Sequence, residues 1–357
     1  MKRLLYTILL ILNLAAAMLL LLSTLAGFQP PSEGILLSML SYGYFVLLNL
    51  NILFILIWLL CKRWTFLLSL GVILLRYSFI PLFFQVGGKP IETTNPTVKV
   101  MSFNVHHYYG RDINPTNEPG EQMDSNAVAF LQMLREHEPD VLCLQEFLPY
   151  TAGGKVHLAD SMMAMGYKYH KSAYPAMGHS ATICWSKYPL VNPVYIDSSS
   201  KLQVDVVHPD DTIRVFCLHL NSYKLDSSDL KEIDRISHGT VDRDSARGTL
   251  GKFKETIIAH EEEWNLIKPL IELSPYPTIV AGDFNDTPGS YIYQQMRQLL
   301  ADSYVEQGKG FCTTYHGFFP NFRIDYILHT NDIRAISYKR VKCNISDHYP
   351  IIVELEL

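Results

Sequence analysis

Residues 1–88 carry a single acidic side chain, Glu33, and only five basic ones: Lys2, Arg3, Lys62, Arg63 and Arg76. Three apolar runs fill this stretch, about Leu4–Phe28, Ile35–Leu60 and Thr65–Phe84. Each reaches the roughly 20 residues needed to cross a hydrocarbon core of about 30 Å. The first run is longer than the usual core of a signal peptide, about 7–15 residues, and two more follow it, which favours an anchor. Lys2 and Arg3 precede the first run, Lys62 and Arg63 separate the second from the third, and Gln29–Glu33 has no positive charge. The positive-inside rule then places the N-terminus and the Lys62–Arg63 loop in the cytoplasm. Three crossings leave everything after Phe84 outside, so the expectation is a multi-pass membrane protein with an extracytoplasmic domain. Arg76 inside the third run requires a partner helix or a snorkelling conformation.

The remaining chain has a different character. The totals of 30 basic and 35 acidic residues leave 25 and 34 after residue 88, a net charge of −9 for that part. An acidic domain argues against non-specific binding to long nucleic acid, which ordinarily uses a basic face. A polar connector, 87–97, joins it to the apolar region. The six cysteines show no disulfide-framework spacing, and Cys143, Cys184 and Cys217 lie in apolar strand-like segments as core residues.

Strand-like and helix-like segments alternate from Val98 onward. Val98–Asn104, Asp140–Glu146, Ala181–Ser186, Thr212–His219, Thr278–Ala281, Arg323–Leu328 and Tyr349–Leu357 read as strands. Asp124–His137, with Val128, Leu131 and Leu134 on one face, Leu225–Ile236 and Gly251–Leu273 read as helices. In the last, Phe253, Ile257, Trp264, Ile267 and Ile271 recur at the spacing of core packing. The polar segment Ser237–Arg247 reads as a loop.

Polar residues gather where the strands end: Asn104, Glu146, His219 with Asn221, Asp283 with Asn285, Asp325, and Asp347 with His348. In Thr278–Asp286, Asp283 and Asn285 are two apart and share a side of extended chain, while Phe284 turns inward. Taken alone, the stretch reads better as an Asx turn. A carboxylate such as Glu146, ending an apolar strand, is costly to bury unless a cation or donor lies nearby. Each feature alone is weak, and a lone strand-end histidine is more often a packing residue than a catalyst.

Taken together, SFNV (102–105), LQEF (144–147), LHLN (218–221), GDFN (282–285), RIDYIL (323–328) and SDHYP (346–350) resemble the endonuclease/exonuclease/phosphatase superfamily across the whole soluble part. The resemblance implies an α/β fold, a four-layer α/β/β/α sandwich over residues 98–357; the apolar runs add about three transmembrane helices in 1–86 ahead of it. It implies a Mg²⁺-dependent phosphoesterase, with Mn²⁺ a possible substitute. Glu146 would be the principal metal ligand, with Asn104 and Asp347 as further candidates. Asp283 would activate the attacking water and Asn285 would hold it. His348, oriented by Asp325, would contact the scissile phosphate. His219 would stabilise the transition state, with Asn221 and Asn104 contacting substrate. His106–His107 after the first motif has no Cys/His cluster to suggest a transition metal, and reads as surface or substrate contact.

Tethering to a bilayer favours a lipid or other small phosphodiester; the aromatic loop Tyr315–Phe322 reads first as a packed loop beside the site and second as a surface that grazes lipid. An extracytoplasmic nuclease on DNA or RNA is the alternative, and an inactive binding module is a third reading that the filled motifs disfavour. No protein partner can be inferred.

Overall fold

The computed structural model describes residues 2–88, 91–108, 119–149, 156–174, 181–197, 200–223, 243–317 and 322–357. They form two compact units, one of Met1–Leu82, Asn221–Trp264 and Thr287–Met296, the other of Phe83–Leu220, Asn265–Asp286 and Arg297–Leu357. The expected helix Leu225–Ile236, the centre of the aromatic loop (318–321) and part of the 222–247 segment lie outside the described residues.

The first unit is helical. Lys2–Leu25 is one unbroken helix, and the span Arg3–Phe28 is the one stretch among the described residues long and apolar enough to cross a membrane by itself. The second apolar run becomes two helices, Pro31–Ser41 and Tyr44–Leu60, bent by 49°. Gly34 leaves helical geometry inside the former, and Gly43 starts the latter. The third run gives only Phe66–Leu75 before a 3₁₀ turn, Tyr77–Leu82, that contains Pro81. Ten helical residues rise about 15 Å, half the thickness of a hydrocarbon core. The expected three spans are therefore corrected to one, or two if the bent pair counts as one. Glycine and proline, tolerated in an apolar run by hydropathy, break the backbone that hydropathy does not see.

Inside the unit a polar thread ties the helices together. Asn13 Nδ2 donates to Ser69 Oγ at 2.6 Å, Ser69 Oγ to Asn51 Oδ1 at 2.7 Å, and Trp58 Nε1 to Asn13 Oδ1 at 2.8 Å. All four side chains are buried, so each polar group needs this partner. Arg76 does face a neighbouring helix: it donates to the Thr24 carbonyl at 2.9 Å. Ser32 is held by both oxygens of Glu261, at 2.8 Å each.

The second unit contains fourteen described strands: β1 (Phe84–Gln85), β2 (Thr97–Asn104), β3 (Val141–Phe147), β4 (Tyr169–Ala173), β5 (Ala181–Ser186), β6 (Leu190–Tyr195), β7 (Lys201–Val207), β8 (Thr212–His219), β9 (Thr278–Asp283), β10 (Ala301–Asp302), β11 (Gly310–Phe311), β12 (Asp325–His329), β13 (Arg334–Arg340) and β14 (Ile351–Glu356). One six-stranded sheet runs β13-β14-β2-β3-β5-β4 and the other β10-β12-β9-β8-β7-β6, while β1 pairs with β11. Each large sheet is antiparallel except for one central parallel pair, β2 with β3 and β8 with β9. The sheets face one another across a core of alternating apolar residues, among them Val98, Val100, Val215, Cys217, Ile279, Ala281, Ile351 and Val353. Helices lie outside, giving the α/β sandwich. Cys143, Cys184 and Cys217 are fully buried between the sheets, as the sequence suggests.

The Pro119–His137 helix covers the outer face of the first sheet through Met123, Ala127, Phe130, Leu131 and Leu134. Val128, expected on that face, is 55% exposed. The bulky Met123 and Phe130 set the buried stripe one residue earlier than Leu131 and Leu134 alone imply. The long helix is Arg243–Glu272, so the end of the polar segment expected to be a loop is helical. The connector is bound into the unit, with Ile91 N–H donating to Ile336 O at 2.9 Å and Leu357 N–H to Pro96 O at 3.0 Å.

Candidate active site

The two parallel pairs carry the site on matching ends. In register, Asn104 of β2 sits beside Gln145 of β3, His219 of β8 beside Asp283 of β9, and Asp283 is opposite Asp325 of β12. Parallel neighbours present their C-terminal ends together, so polar residues far apart in sequence meet at one rim. Gly282 makes the approach possible, since a Cβ there would lie 1.9 Å from the Leu218 carbonyl oxygen of β8.

The deepest part is a chain of three buried groups. His348 Nδ1 is 2.9 Å from Asp325 Oδ2, and its Nε2 is 3.7 Å from Asp283 Oδ2. Burial opposes a charged ring, but Asp325 and then Asp283 outweigh it and raise His348 to about 10. Burial also raises Asp283, against the pull of His348. Thr314 Oγ1 accepts from the N–H groups of Ile324 and Asp325, both at 3.0 Å, and so fixes where β12 begins. Arg323, clamped on Asp302 at 2.7 Å, anchors the approach to that strand. Tyr315 packs edge-on against the His348 ring, with centroids 5.1 Å apart.

Asn104 joins this floor to the rim. Its Nδ2 donates to Asp283 Oδ2 at 3.0 Å and to Glu146 Oε1 at 3.2 Å, while its Oδ1 accepts from the His106 N–H at 3.0 Å. That last contact fixes the amide orientation, so the nitrogen faces the carboxylates. Glu146 lies at an irregularity in the β3–β5 pairing, with φ +52°. Burial pushes its carboxyl up, but the hydrogen bond from His107, at 3.1 Å, and the nearby His219 and His106 hold it well below the usual carboxylate range. His219 Nε2 lies 3.9 Å from both Glu146 Oε1 and Asp283 Oδ2. Asp347 Oδ1 is 3.2 Å from His106 Nδ1. Ser346 Oγ donates to the Asn104 carbonyl at 2.7 Å and accepts from His348 N–H at 3.1 Å, binding this corner together.

Asn285 takes the left-handed conformation, φ +50°, and its N–H donates to Asp283 Oδ1 at 2.8 Å. That is the Asx turn, formed alongside a side chain that donates to Leu220 O at 3.0 Å. Phe284 is fully buried. Asn221 is engaged otherwise. Its Nδ2 and N–H meet Glu263 at 3.1 and 3.2 Å, and its carbonyl meets His260 Nε2 at 2.7 Å.

Asn104, Glu146, His219, Asp283, Asp325, Asp347 and His348 are thus linked through shared hydrogen-bond and ion-pair neighbours in one unit. The sequence gives no site role to Thr314 and does not announce the engagement of both adjacent histidines with carboxylates. The dipeptide His106–His107 directly after a motif was the visible signal for the last of these.

A family model described as Endonuclease/Exonuclease/phosphatase family matches residues 101–348. The chain belongs to this family. Its members are hydrolases of phosphoester bonds, in general dependent on a divalent metal, and act on phosphodiester substrates such as nucleic acids; this chain is such a hydrolase by membership. A second model, described as a domain of unknown function (DUF8431), matches residues 6–83. No curated protein matches the chain. Among solved structures, it is similar to an endonuclease/exonuclease/phosphatase from Bacteroides vulgatus (17% identity, TM-score 0.52, covering 73% of this chain and 99% of that one). It is also similar to the human Nocturnin catalytic domain with bound sulfate (15%, 0.51, 75% and 97%). These two likenesses speak to the fold.

A divalent ion suits the donor set on chemical grounds. Hard cations take oxygen ligands, and Glu146 offers a carboxylate whose near neighbours are N–H groups. The cluster Asp283, Asp325 and His348 also brings three ligand atoms within 4.8 Å. There the charged imidazole between two carboxylates already supplies the balancing cation, which leaves Glu146 as the better ligand.

Proposed function

We propose that residues 98–357 form the catalytic domain of a membrane-tethered, Mg²⁺-dependent phosphodiesterase acting on a lipid headgroup or other small diester through an activated water. The observation that carries this reading is the buried Asp325–His348–Asp283 chain beside Asn104 and Glu146. His348, held charged, contacts the scissile phosphate, and Asp325 orients its ring. Asp283 positions the water and accepts its proton, aided by burial, which makes it a stronger base. Asn285 steadies that water or a phosphate oxygen. His219, 3.9 Å from Asp283 and Glu146, faces the charge that develops in the transition state. Asn104 orients Glu146 and Asp283 by its amide. Glu146, with Asp347, would hold the metal, which supplies Lewis-acid neutralisation of the phosphate oxygens. Asn221 is left out, its amide being taken by Glu263.

The apolar Arg3–Phe28 helix supports a tether, and the acidic domain supports a small substrate over a long polyanion. Hydrolysis of sphingomyelin, phosphoinositides, a chromogenic diester, DNA and RNA by the full chain in detergent, with Mg²⁺ and with chelator, tests the proposal. Chelator-sensitive turnover of a small diester is expected; a preference for DNA or RNA would favour the nuclease reading. Lys2–Arg3 ahead of the apolar Arg3–Phe28 helix supports an extracytoplasmic domain if that helix is the one crossing, and the bent pair counted as a second span would invert it. Reporter fusions at Gly88 decide this: alkaline phosphatase should be active there, and activity of a cytoplasm-only reporter instead would invert the sidedness.

A further inference from the structure

The Asp325–His348 pair joins the two sheets. Asp325 opens β12, in the sheet that holds β9, whereas His348 lies just ahead of β14, in the sheet that holds β2. Among the described residues no ladder joins β12 to β14, so sheet geometry alone does not set the distance between these ends. The Asp325 carboxylate has little side-chain support. Its Oδ2 meets His348 Nδ1 at 2.9 Å, and its Oδ1 has no hydrogen-bond partner among the described residues. The aim of the carboxylate therefore follows from where its backbone is held.

The segment Thr314–His316 holds it from both sides. The N–H groups of Thr314 and Tyr315 donate to the Phe322 carbonyl, ahead of β12, at 2.8 and 2.9 Å. On the other side the Tyr349 N–H donates to the Thr314 carbonyl at 2.7 Å, and the His316 N–H donates to the Asp347 carbonyl at 2.8 Å. Tyr315 is bridged in antiparallel fashion to both Phe322 and His348. This short extended segment thus ties the approach to β12 to the approach to β14. Thr314 adds its side chain to the tie. It is fully buried, and its Oγ1 accepts from the successive N–H groups of Ile324 and Asp325, both at 3.0 Å. A hydroxyl oxygen has two acceptor sites, and both are used on the peptide groups that carry Asp325 into the site. Branching at Cβ restricts the rotamer in which it does so.

We propose that Thr314 is a positioning residue for phosphoester hydrolysis: its hydroxyl fixes the Asp325 backbone relative to the segment that carries His348, and so sets the aim of the imidazole at the phosphate. This rests on the catalytic reading of the Asp325–His348 pair above. Valine has nearly the shape of threonine but leaves two buried N–H groups without an acceptor, so the start of β12 must shift to satisfy them. A displacement of about 1 Å at a reacting group costs up to about 100-fold in rate.

Turnover of bis(p-nitrophenyl) phosphate by the full chain in detergent, with Mg²⁺, is the test. Thr314→Val should lower kcat about 10- to 100-fold and change KM less than about twofold, since Thr314 acts through Asp325 and does not touch substrate. Thr314→Ser restores the acceptor and should return kcat to within about threefold of wild type, even though loss of the methyl group lowers its melting temperature. Thr314→Cys, whose sulfur is a weak acceptor, should fall between the Ser and Val variants. In an Asp325→Ala background, where there is no carboxylate to aim, Thr314→Val should cost less than about threefold in kcat. Equal losses in the two backgrounds overturn the proposal, as does a raised KM with unchanged kcat, or a Ser variant no better than Val. If the Val chain does not fold, equal kcat for wild type and the Ser and Cys variants overturns it. His348→Gln separates this from the underlying reading. Turnover within about tenfold of wild type in that variant would mean that the pair itself is not catalytic; lost turnover there with normal turnover in Thr314→Val would mean that only the positioning role is wrong.

Discussion

The floor and the rim of the site are built differently from the same residue types. On the floor, Asp283 and Asp325 are cross-strand partners in a regular antiparallel ladder, and His348 lies against both with its side chain 6% exposed. At the rim, Glu146 leaves its strand at positive φ, and His106 and His107 sit on a turn of the same strained kind. Their side chains are 36% and 30% exposed. The floor therefore has the low effective dielectric in which a carboxylate shifts an imidazole strongly, while solvent screens the rim. Rigid ladder geometry serves proton-holding groups that must keep one arrangement. Strained exits from strands aim side chains at something that enters from outside.

The largest effects should come from breaking the floor. His348→Gln keeps a hydrogen-bond donor for Asp325 but removes the charge, and turnover should fall by about 10³-fold with divalent-ion affinity retained. Turnover within tenfold of wild type would remove His348 from the reaction. Glu146→Gln breaks the rim and should lower activity by about 10²-fold, partly recovered at high metal concentration. Recovery is the distinguishing sign, because no metal concentration should restore the His348 variant. Equal rescue of both would erase the difference between the two regions.

The floor was more legible in sequence than the rim, for a physical reason. Thr212–His219 and Ala181–Ser186 were read to the residue, and Thr278–Asp283 nearly so, because buried strands are apolar runs closed by polar residues. Motif order then brought Asp283, Asp325 and His348 together. The rim depends on backbone conformation that non-glycine residues seldom adopt, and nothing in His-His-Tyr announces three positive φ values. Asn221 meets Glu263, a partner 42 residues away on a helix whose sequence reads only as a packing surface. In the apolar region, composition marked the runs, but Gly34, Gly43 and Pro81 decided where helices stop.

Asp325→Asn should sharpen the contrast more gently. It removes the first cause of the raised His348 value, so the ring should lose its proton at lower pH. The alkaline limb of the pH–rate profile should move down from near pH 10, with turnover slowed about tenfold. A packing role for Asp325 predicts a lower melting temperature and an unmoved limb. His107→Gln, at the screened rim, should leave that limb where it is.

The smallest effect lies in stability, where the two regions titrate in opposite directions. His348 has a folded value of about 10, above its ordinary 6.5, so folding favours its protonated form. The stabilisation is complete below about pH 6.5 and disappears as pH rises through about 10. Glu146 is shifted downward, so its contribution is present above its ordinary value of 4.5 and is lost as pH falls toward the depressed folded value. Melting temperatures of wild type, His348→Gln and Glu146→Gln across pH 4–10 separate the two. The gap between wild type and His348→Gln should amount to a few degrees near neutrality, on the scale of about 2–4 °C per kcal/mol for a domain of this size, and should close toward pH 10. The gap for Glu146→Gln should instead hold down to about pH 4.5 and only begin to shrink at the acid end of that range, and adding salt should shrink it more, because His106 and His107 are part-exposed. Two gaps that closed together, or that ignored pH, would mean that floor and rim stabilise the fold by packing alone and that their different surroundings do not reach their charges.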